Sequence, residues 1–192
     1  MGATPTSDGP NGADGEVMLD VEIIAALAPG ANVRVYFGPN TTAGFLAAIN
    51  QAVVDGASVV SISWGGPEST WTHQAMTAYD QTFAAALTGG CSVFAASGDN
   101  GSSDGVPKGG KHVDFPASSP HVTGCGGTRL TLEPSGTLAA EVVWNDNPTK
   151  SAGGGGFSTF FGKPGYQTTV SGAKRGVPDV AGNADPVTTD HS

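Results

Sequence analysis

Apolar residues along this 192-residue chain fall into two kinds of segment that alternate with each other. Longer segments repeat apolar residues at helical spacing and end in glycine or Pro-Gly, whereas shorter runs are apolar at nearly every position. The longer segments predict helices, and the shorter runs predict strands that are covered on both faces of a sheet. We predict helices over 15–30, 41–56 and 69–90, and strands over 31–37, 57–64, 91–97 and 121–130.

A hairpin signal accompanies the last predicted strand. Residues 128–133 and 137–145 flank Pro134-Ser135-Gly136, which is typical of a tight turn, and we expect the strand over 121–130 to break at Gly126-Gly127. Strands that alternate with helices of this length predict an α/β fold with a mostly parallel sheet and helices on both faces. In such folds, functional residues collect at the carboxyl ends of the strands.

The first predicted helix combines a dense apolar sequence with two acids. Its apolar positions are too many for one narrow stripe, so we expect the helix to be buried on more than one side. Glu16 and Asp20 are four residues apart and therefore share a face. An acid near a helix N-terminus interacts favourably with the helix dipole. This explains the presence of Glu16 better than that of Asp20, because Asp20 lies one turn further into the helix. Two neighbouring carboxylates repel each other, so the pair is a weak indication of chemistry.

Composition limits the classes of partner. The chain has 17 acidic residues against 8 Lys and Arg, a formal net charge of −9, which argues against binding of nucleic acid. It has no apolar run long enough to cross a membrane, and residues 1–15 lack the apolar segment of a signal peptide. Only 13% of the residues are charged, which suits an acidic medium in which carboxyl groups are neutral. Cys91 and Cys125 lack metal-ligand spacing; we expect two free thiols, with a disulfide as the alternative.

Loops rich in glycine, serine or proline adjoin the predicted strands. SGDNGSSDG (97–105) places Asp99 just beyond a buried strand. Its polar residues have three possible roles: calcium ligands, plain turn formers, or, for Asp99, a catalytic side chain in a cleft. The spacing of an EF-hand calcium loop is absent. The backbone of SWGGPE (63–68) is open to an extended peptide that adds as a strand. GGGGF (153–157) predicts a flexible surface loop.

Six blocks of the sequence together resemble the sedolisins, the family of serine-carboxyl peptidases. They occur in the family's order with similar spacing, so the resemblance covers 7–186 and leaves 1–6 and 187–192 unmatched. It implies a subtilisin-like α/β fold, truncated at both ends relative to the family, and a single partial peptidase domain over 1–192. The blocks are residues 15–49, VSISWGGPE (60–68), AASGDNGSSDG (95–105), HVDFPASSPHVTGCGGTRL (112–130), VWND (143–146) and RGVPDVAGNADP (175–186).

The resemblance also implies roles for individual residues. Glu16 matches the family's general base and acid, Asp20 matches the aspartate that orients it, and Asp99 matches the acid of the oxyanion hole. At acidic pH the first two would hold one shared proton, and a neutral Asp99 would donate a hydrogen bond to the developing oxyanion. Asp114 matches an acid that lines a specificity pocket. The matched edge that holds the substrate chain consists of Ser63, Trp64, Gly65 and Gly66.

A histidine-based triad is the nearest rival to this set of acids. A subtilisin carries its histidine and serine in short His-Gly-Thr and Gly-Thr-Ser blocks, and neither block occurs here. No two histidines have the spacing of zinc ligands, so we predict no metal site. For Trp64, packing against the protein is as good an interpretation as contact with a substrate. The histidines are His73, His112, His121 and His191.

The sequence also departs from the family. The family's nucleophile lies in a Gly-Thr-Ser block downstream of the segment matched by 175–186, its calcium site lies further on, and residues 1–192 contain neither. We therefore expect an acid-acting, extracellular serine-carboxyl endopeptidase domain without its serine, inactive alone and without a cofactor. The alternatives are a non-catalytic domain that binds peptides and one half of an enzyme that another segment completes. Expected partners are protein or peptide substrates, missing segments of the same domain, or further copies that meet at an exposed sheet edge.

Overall fold

The computed structural model describes residues 7–9, 12–107, 109–146 and 151–185. These residues form two compact units, which divide between Ala57 and Ser58. No helix in these ranges is long and apolar enough to cross a membrane. The end of the last matched block, Pro186, and the last histidine, His191, lie outside the described residues.

The first unit contains two helices, α1 (Ala13–Leu27) and α2 (Thr42–Val54). Asp8 starts α1, because its carboxylate accepts hydrogen bonds from the first two backbone N–H groups of the helix at 2.8 and 3.0 Å. The Thr41 side chain caps α2 in the same way, with one hydrogen bond of 3.0 Å from a backbone N–H of the first turn. Both predicted helices of this unit are confirmed, with slightly shorter bounds.

Two other predictions for the first unit are wrong. Residues 31–37 do not form a strand, because the described part of this unit offers no second strand with which their backbone groups could pair. A side chain anchors the segment instead, since the Tyr36 hydroxyl donates a hydrogen bond of 2.9 Å to Asp55. The helix α1 is not buried on more than one side: none of its residues is buried, and Leu27 is 82% exposed. The buried side chains of this unit lie on α2 instead.

The second unit is built from one long helix and a set of short strands. The helix α3 (His73–Thr88) lies between the first and third strands in the chain and packs on the third. In the described part of this unit the strands are β1 (Val59–Ile62), β2 (Gly66–Pro67), β3 (Ser92–Ala96), β4 (Asp114–Phe115), β5 (Thr123–Leu132), β6 (Leu138–Val143), β7 (Gly156–Gly162), β8 (Lys174–Val177) and β9 (Val180–Asn183).

The main sheet is mostly parallel, as predicted. β1, β3 and β5 lie side by side in parallel, β9 adds to β5 in parallel, and β6 pairs with β5 as the predicted antiparallel hairpin. Two small antiparallel ladders, β2 with β4 and β7 with β8, complete the unit. Cys91 and Cys125 are free thiols, as expected.

The predicted break in β5 is wrong, because the strand runs through Gly126 and Gly127 and pairs there with β9. A Cβ atom on Gly126 would lie 2.7 Å from the Pro178 ring, and one on Gly127 would lie 2.8 Å from the Trp144 ring. The two glycines therefore permit close packing on the sheet and do not end the strand.

An aromatic cluster holds β4 in the core of the second unit. Phe115 of β4 is fully buried, and its ring centroid lies 4.9 Å from that of Trp71, 5.7 Å from that of Tyr79 and 6.0 Å from that of Phe161. Aromatic rings at these separations attract one another, and this attraction adds to the stabilisation that comes from burying their apolar surface. The cluster therefore fixes the position of the neighbouring residue, Asp114.

Candidate active site

The two acids of the first helix lie on one side of α1. Glu16 is in its first turn and Asp20 follows one turn later, and both are half-buried. Asp8, which starts the helix, is an acid of a different kind. Hydrogen bonds from the backbone N–H groups of residues 14 and 13 lower the pKa of Asp8, which favours its ionised form at the helix N-terminus.

Asp99 lies just beyond the carboxyl end of β3, at the edge where parallel α/β folds place their functional loops. Its carbonyl oxygen accepts a hydrogen bond of 2.9 Å from Ala152, and the carbonyl oxygen of Gly98 accepts one of 2.7 Å from Gly154. A Cβ atom on Gly154 would lie 2.0 Å from the carbonyl oxygen that precedes Gly98. The run 153–157 is therefore not the predicted flexible surface loop, because the absence of a side chain at Gly154 allows it to pair with the loop that carries Asp99.

Two further carboxyl groups converge on Gly98. A Cβ atom at this position would lie 2.9 Å from Asp104 Oδ1 and 3.5 Å from Asp114 Oδ2. Asp104 is 6% exposed and Asp114 is 5% exposed. Within the described ranges, Asp104 Oδ2 and Asp114 Oδ1 are buried without a hydrogen-bond partner. We refer to Asp99, Asp104 and Asp114 as the acidic cluster.

Burial and mutual repulsion favour the neutral forms of these acids. The pKa of Asp114 is raised to about 8, first by burial and then by the charges of Asp104 and Asp99, while a hydrogen bond from the Gly66 N–H opposes the shift. Burial raises the pKa of Asp104 to about 6, although His112 opposes the shift. The Asp99 side chain keeps contact with solvent, yet the protein around it desolvates the carboxyl group enough to raise its pKa. In acidic solution the cluster therefore holds carboxylic acids, which can donate hydrogen bonds.

From the sequence, Asp104 is expected only to form a turn or to bind calcium. Its φ of +48° lies in the left-handed region, which aspartate tolerates better than most residues, and the turn returns its side chain to Gly98. The Asp-Gly pair at 104–105 indicates this turn but not its partners. No group of three or more His, Cys, Asp or Glu side chains in the described part of the chain is arranged to hold a metal ion.

The segment that follows β1 lies against the acidic cluster. β2 pairs with β4, so Gly66 faces Phe115, and a Cβ atom on Gly65 would lie 2.1 Å from Asp114 Oδ1. The structure thus brings both glycines of the predicted binding edge to Asp114. Ser63 is half-buried, and Trp64 is 41% exposed, which excludes Trp64 from the core.

A Ser-His-Asp group exists in the second unit, but its geometry is not that of a catalytic triad. Ser119 Oγ donates a hydrogen bond of 2.6 Å to Asp80 Oδ1, and His121 Nδ1 lies 2.9 Å from the same oxygen. In a triad the serine hydroxyl is bonded to the imidazole, which takes its proton. Here the hydroxyl is bonded to the carboxylate and Ser119 is fully buried, so this group does not supply an activated serine.

Comparison with known proteins identifies the fold. Residues 6–184 match the subtilase family, peptidase S8. The solved structure of Pseudomonas sedolisin, a serine-carboxyl proteinase complexed with two molecules of pseudo-iodotyrostatin, aligns at a TM-score of 0.82 and 34% identity over 93% of this chain and 53% of that one. A lanthipeptide protease, 24% identical with a TM-score of 0.53, shares the fold over 65% of this chain and 38% of its own. The predicted subtilisin-like α/β fold is confirmed.

Curated relatives narrow the family. The chain is 52% identical to kumamolisin from Bacillus sp. (strain MN-32), over 97% of this chain and 36% of the relative. It is 35% identical to sedolisin from Pseudomonas sp. (strain 101), over 88% of this chain and 32% of the relative. The chain spans about a third of the length of these relatives. It belongs to the subtilase family and, within that family, to the sedolisins, the serine-carboxyl peptidases.

Proposed function

We propose that this chain carries the acid–base pair and the oxyanion acid of an acid-acting serine-carboxyl endopeptidase. Glu16 is the general base and acid, Asp20 orients it and shares its proton, and Asp99 stabilises the oxyanion. The observation that carries the proposal is the place of Asp99 at the carboxyl end of β3 in a chain of this family, with a pKa that burial raises. We further propose that both units belong to one partial peptidase domain.

The proposed reaction uses each acid in a defined protonation state. The serine hydroxyl passes its proton to the Glu16 carboxylate while its oxygen bonds to the peptide carbonyl carbon, and the carbonyl electron pair moves to oxygen. Neutral Asp99 donates a hydrogen bond to that oxyanion. As the C–N bond breaks, Glu16 returns the proton to the leaving amine, and water then hydrolyses the ester by the same steps.

Acidic pH satisfies the requirements of this mechanism together. A carboxylate is a weak base, so a glutamate acts well as a general base and acid only when the working pH is acidic. Asp99 donates a hydrogen bond only while it is protonated. The small share of charged residues, 13%, limits the repulsion between cations when the carboxyl groups are neutral.

The proposed substrate is a protein or an extended peptide. Its backbone pairs with the edge formed by Ser63, Trp64, Gly65 and Gly66, and Asp114 lies beneath this edge as the acid that faces a substrate side chain. The net charge of −9 disfavours nucleic acid. We propose an acidic extracellular site of action, and we assign no cofactor to residues 1–192.

The nucleophile determines what these 192 residues do alone. They contain no Gly-Thr-Ser block, so we expect these residues by themselves to bind peptides without cleaving them, as part of a peptidase domain whose nucleophile lies outside them. The alternatives are a peptide-binding relative of the peptidases and one half of a complemented enzyme.

The test uses fluorescein-labelled oxidised insulin B chain with the 192-residue chain at about pH 4, within the acidic range that the proposed mechanism requires. Fluorescence anisotropy measures binding, and chromatography of the peptide measures cleavage. Saturable binding with an intact peptide supports the proposal. Absence of binding contradicts the proposed edge, and cleavage that Glu16→Gln abolishes contradicts the expected inactivity of the chain alone.

A further inference from the structure

Glu68, two residues beyond the proposed binding edge, has a buried carboxylate that accepts five hydrogen bonds. Only 3% of the surface of Glu68 is exposed to solvent. Oε1 accepts bonds from Thr159 N at 2.7 Å, from Thr159 Oγ1 at 2.8 Å and from Phe160 N at 3.1 Å. Oε2 accepts bonds from Ser118 Oγ at 2.8 Å and from Ser158 Oγ at 2.6 Å.

This environment stabilises the ionised form of Glu68. Burial raises the pKa of the Glu68 carboxyl group, but the hydrogen bonds from Ser158, Ser118 and Thr159 together outweigh it, so the net pKa is lowered. No ion pair of the described residues includes Glu68, so hydroxyl and amide dipoles hold its charge. Glu68 therefore remains an anion under acidic conditions in which Asp104 and Asp114 are neutral.

The hydrogen bonds of Glu68 join three segments of the second unit. Glu68 begins a short 3₁₀ turn directly after β2, and its N–H donates to the Val113 carbonyl at 2.8 Å. Ser118 donates its own N–H to the Asp114 carbonyl at 3.0 Å and its hydroxyl to Glu68. Both sides of the β2–β4 ladder are thus attached, through one carboxylate, to β7.

We propose that Glu68 is a positioning residue for the peptide-binding edge: its carboxylate holds the β2–β4 ladder on β7 and so keeps Gly65 against the Asp114 side chain. The assignment rests on the proposed function for the role of that edge. Glu68 itself does not face the substrate. Local sequence gives no sign of this role, because the side-chain partners of Glu68 lie 50 to 92 residues further along the chain.

Glutamine is the informative substitution at this position. It has nearly the same shape as glutamate, but its amide NH2 is a donor. In place of Oε1 that donor would face two backbone N–H groups, which cannot accept. In place of Oε2 it would face the Ser158 hydroxyl, whose oxygen already accepts from Phe160 N and Phe161 N, so part of the network must open in either case. Ser118→Ala is a milder variant that removes one hydroxyl donor and leaves the charge of Glu68 in place.

The experiment compares both variants with the parent 192-residue chain in two measurements. The first is the affinity for fluorescein-labelled oxidised insulin B chain at about pH 4, which we expect Glu68→Gln to weaken by about tenfold or more. The second is the titration of Asp114 by carboxyl 13C NMR, with its signal assigned through Asp114→Asn. Loosening of the ladder admits water to Asp114, so we expect its pKa to fall by about one unit or more in Glu68→Gln, and by less in Ser118→Ala.

Two control variants separate positioning from general loss of stability. Val93→Ala opens a cavity in β3, away from the Glu68 network, and Glu133→Gln removes the charge of an exposed acid in the β5–β6 turn. We expect Val93→Ala to lower the melting temperature, and both controls to leave peptide affinity and the Asp114 titration unchanged.

Each outcome decides the role of Glu68. If Glu68→Gln is unfolded, Ser118→Ala provides the same two measurements. If the folded variants melt at lower temperature but keep the parental affinity and Asp114 titration, Glu68 is only structural and the proposal is overturned. If the parent chain does not bind the probe, the proposed function fails for this chain, and the Asp114 titration alone decides whether Glu68 positions the ladder.

Discussion

Asp114 Oδ1 occupies the space into which a side chain at Gly65 would project, because a Cβ atom built on Gly65 would lie 2.1 Å from that oxygen. The same Cβ atom would lie 2.8 Å from the carbonyl oxygen of Phe115. Both obstacles belong to β4, and Phe115 is fixed by the aromatic core. The absence of a side chain at position 65 is therefore what allows the edge after β1 to lie on the acidic cluster.

We expect Gly65→Ala to lower the free energy of unfolding by about 1–3 kcal/mol, because β4 must shift to admit the methyl group. Peptide affinity should fall with it, since the same shift moves the binding edge. The matched control is Gly162→Ala in β7, where a Cβ atom would meet no atom within 4 Å. Urea unfolding of both variants checks the prediction, and an equal effect of the two substitutions would contradict it.

Stability should depend on pH through the buried acids of the second unit. Burial raises the pKa of Asp114 to about 8 and that of Asp104 to about 6, both above the ordinary value of 3.8. A raised pKa in the folded state means that the contribution to stability is complete below about pH 4 and is lost as pH rises through the folded value. We therefore expect the free energy of unfolding to decrease from about pH 4 to about pH 8.

Asp114→Asn measures how much Asp114 contributes to the pH dependence of the free energy of unfolding, because asparagine has a similar shape and does not ionise. We expect the parent chain to lose about 3–5 kcal/mol more than the variant between pH 4 and pH 9. Urea unfolding at several pH values measures the difference. Parallel pH profiles of the two proteins would show that folding does not raise the pKa of Asp114 and would contradict the prediction.

The Arg175 side chain should be a larger determinant of stability than any exposed cation. It is fully buried, its Nη1 donates to Asp179 Oδ1 at 2.7 Å, and further bonds reach the carbonyl oxygens of Val122 and Ala117 at 3.2 and 3.4 Å. Arg175→Met leaves Asp179 without its cation, which we expect to cost about 3–5 kcal/mol.

Lys163→Met is the control for Arg175→Met, because Lys163 is exposed and we expect a change below about 0.5 kcal/mol. Chemical denaturation measures both variants. A loss at Arg175 no greater than at Lys163 would mean that the buried guanidinium does not hold the segment after β8.

Periodicity in the sequence predicts the elements whose partners are close in the chain or whose signals are strong. The capping threonine at 41 and the terminal glycine at 56 mark α2, and the short apolar runs at 57–64 and 91–97 mark β1 and β3. Residues 31–37 have the composition of a strand, but the described part of the first unit contains no strand that pairs with them. Composition alone does not show whether a partner strand is present. Gly126-Gly127 has the composition of a break, but the close approach of Pro178 and Trp144 to the sheet decides its structure.

Some residues of the candidate site can be predicted from the sequence and others cannot. The resemblance assigns Asp99 and Asp114 from local motifs, and the structure places Asp114 beside Gly65 and Gly98, with Asp99 directly after Gly98 and close enough for its charge to act on Asp114. Asp104 and Glu68 have no such local signal, because their roles depend on burial and on partners distant in the chain. Long-range contacts of this kind become visible only in three dimensions.

The acids proposed for catalysis can be tested only where a nucleophile is present. The most direct measurement joins residues 1–185 to a sedolisin-family segment that carries the Gly-Thr-Ser block and follows cleavage of oxidised insulin B chain at about pH 4. We expect the fusion to cleave the peptide, Glu16→Gln and Asp99→Asn each to lower kcat by about 100-fold or more, and Glu22→Gln, an exposed acid of α1, to leave kcat unchanged. A folded fusion that binds the peptide without cleaving it would contradict the proposed roles of Glu16 and Asp99. So would a fusion whose kcat is unchanged by Glu16→Gln and Asp99→Asn.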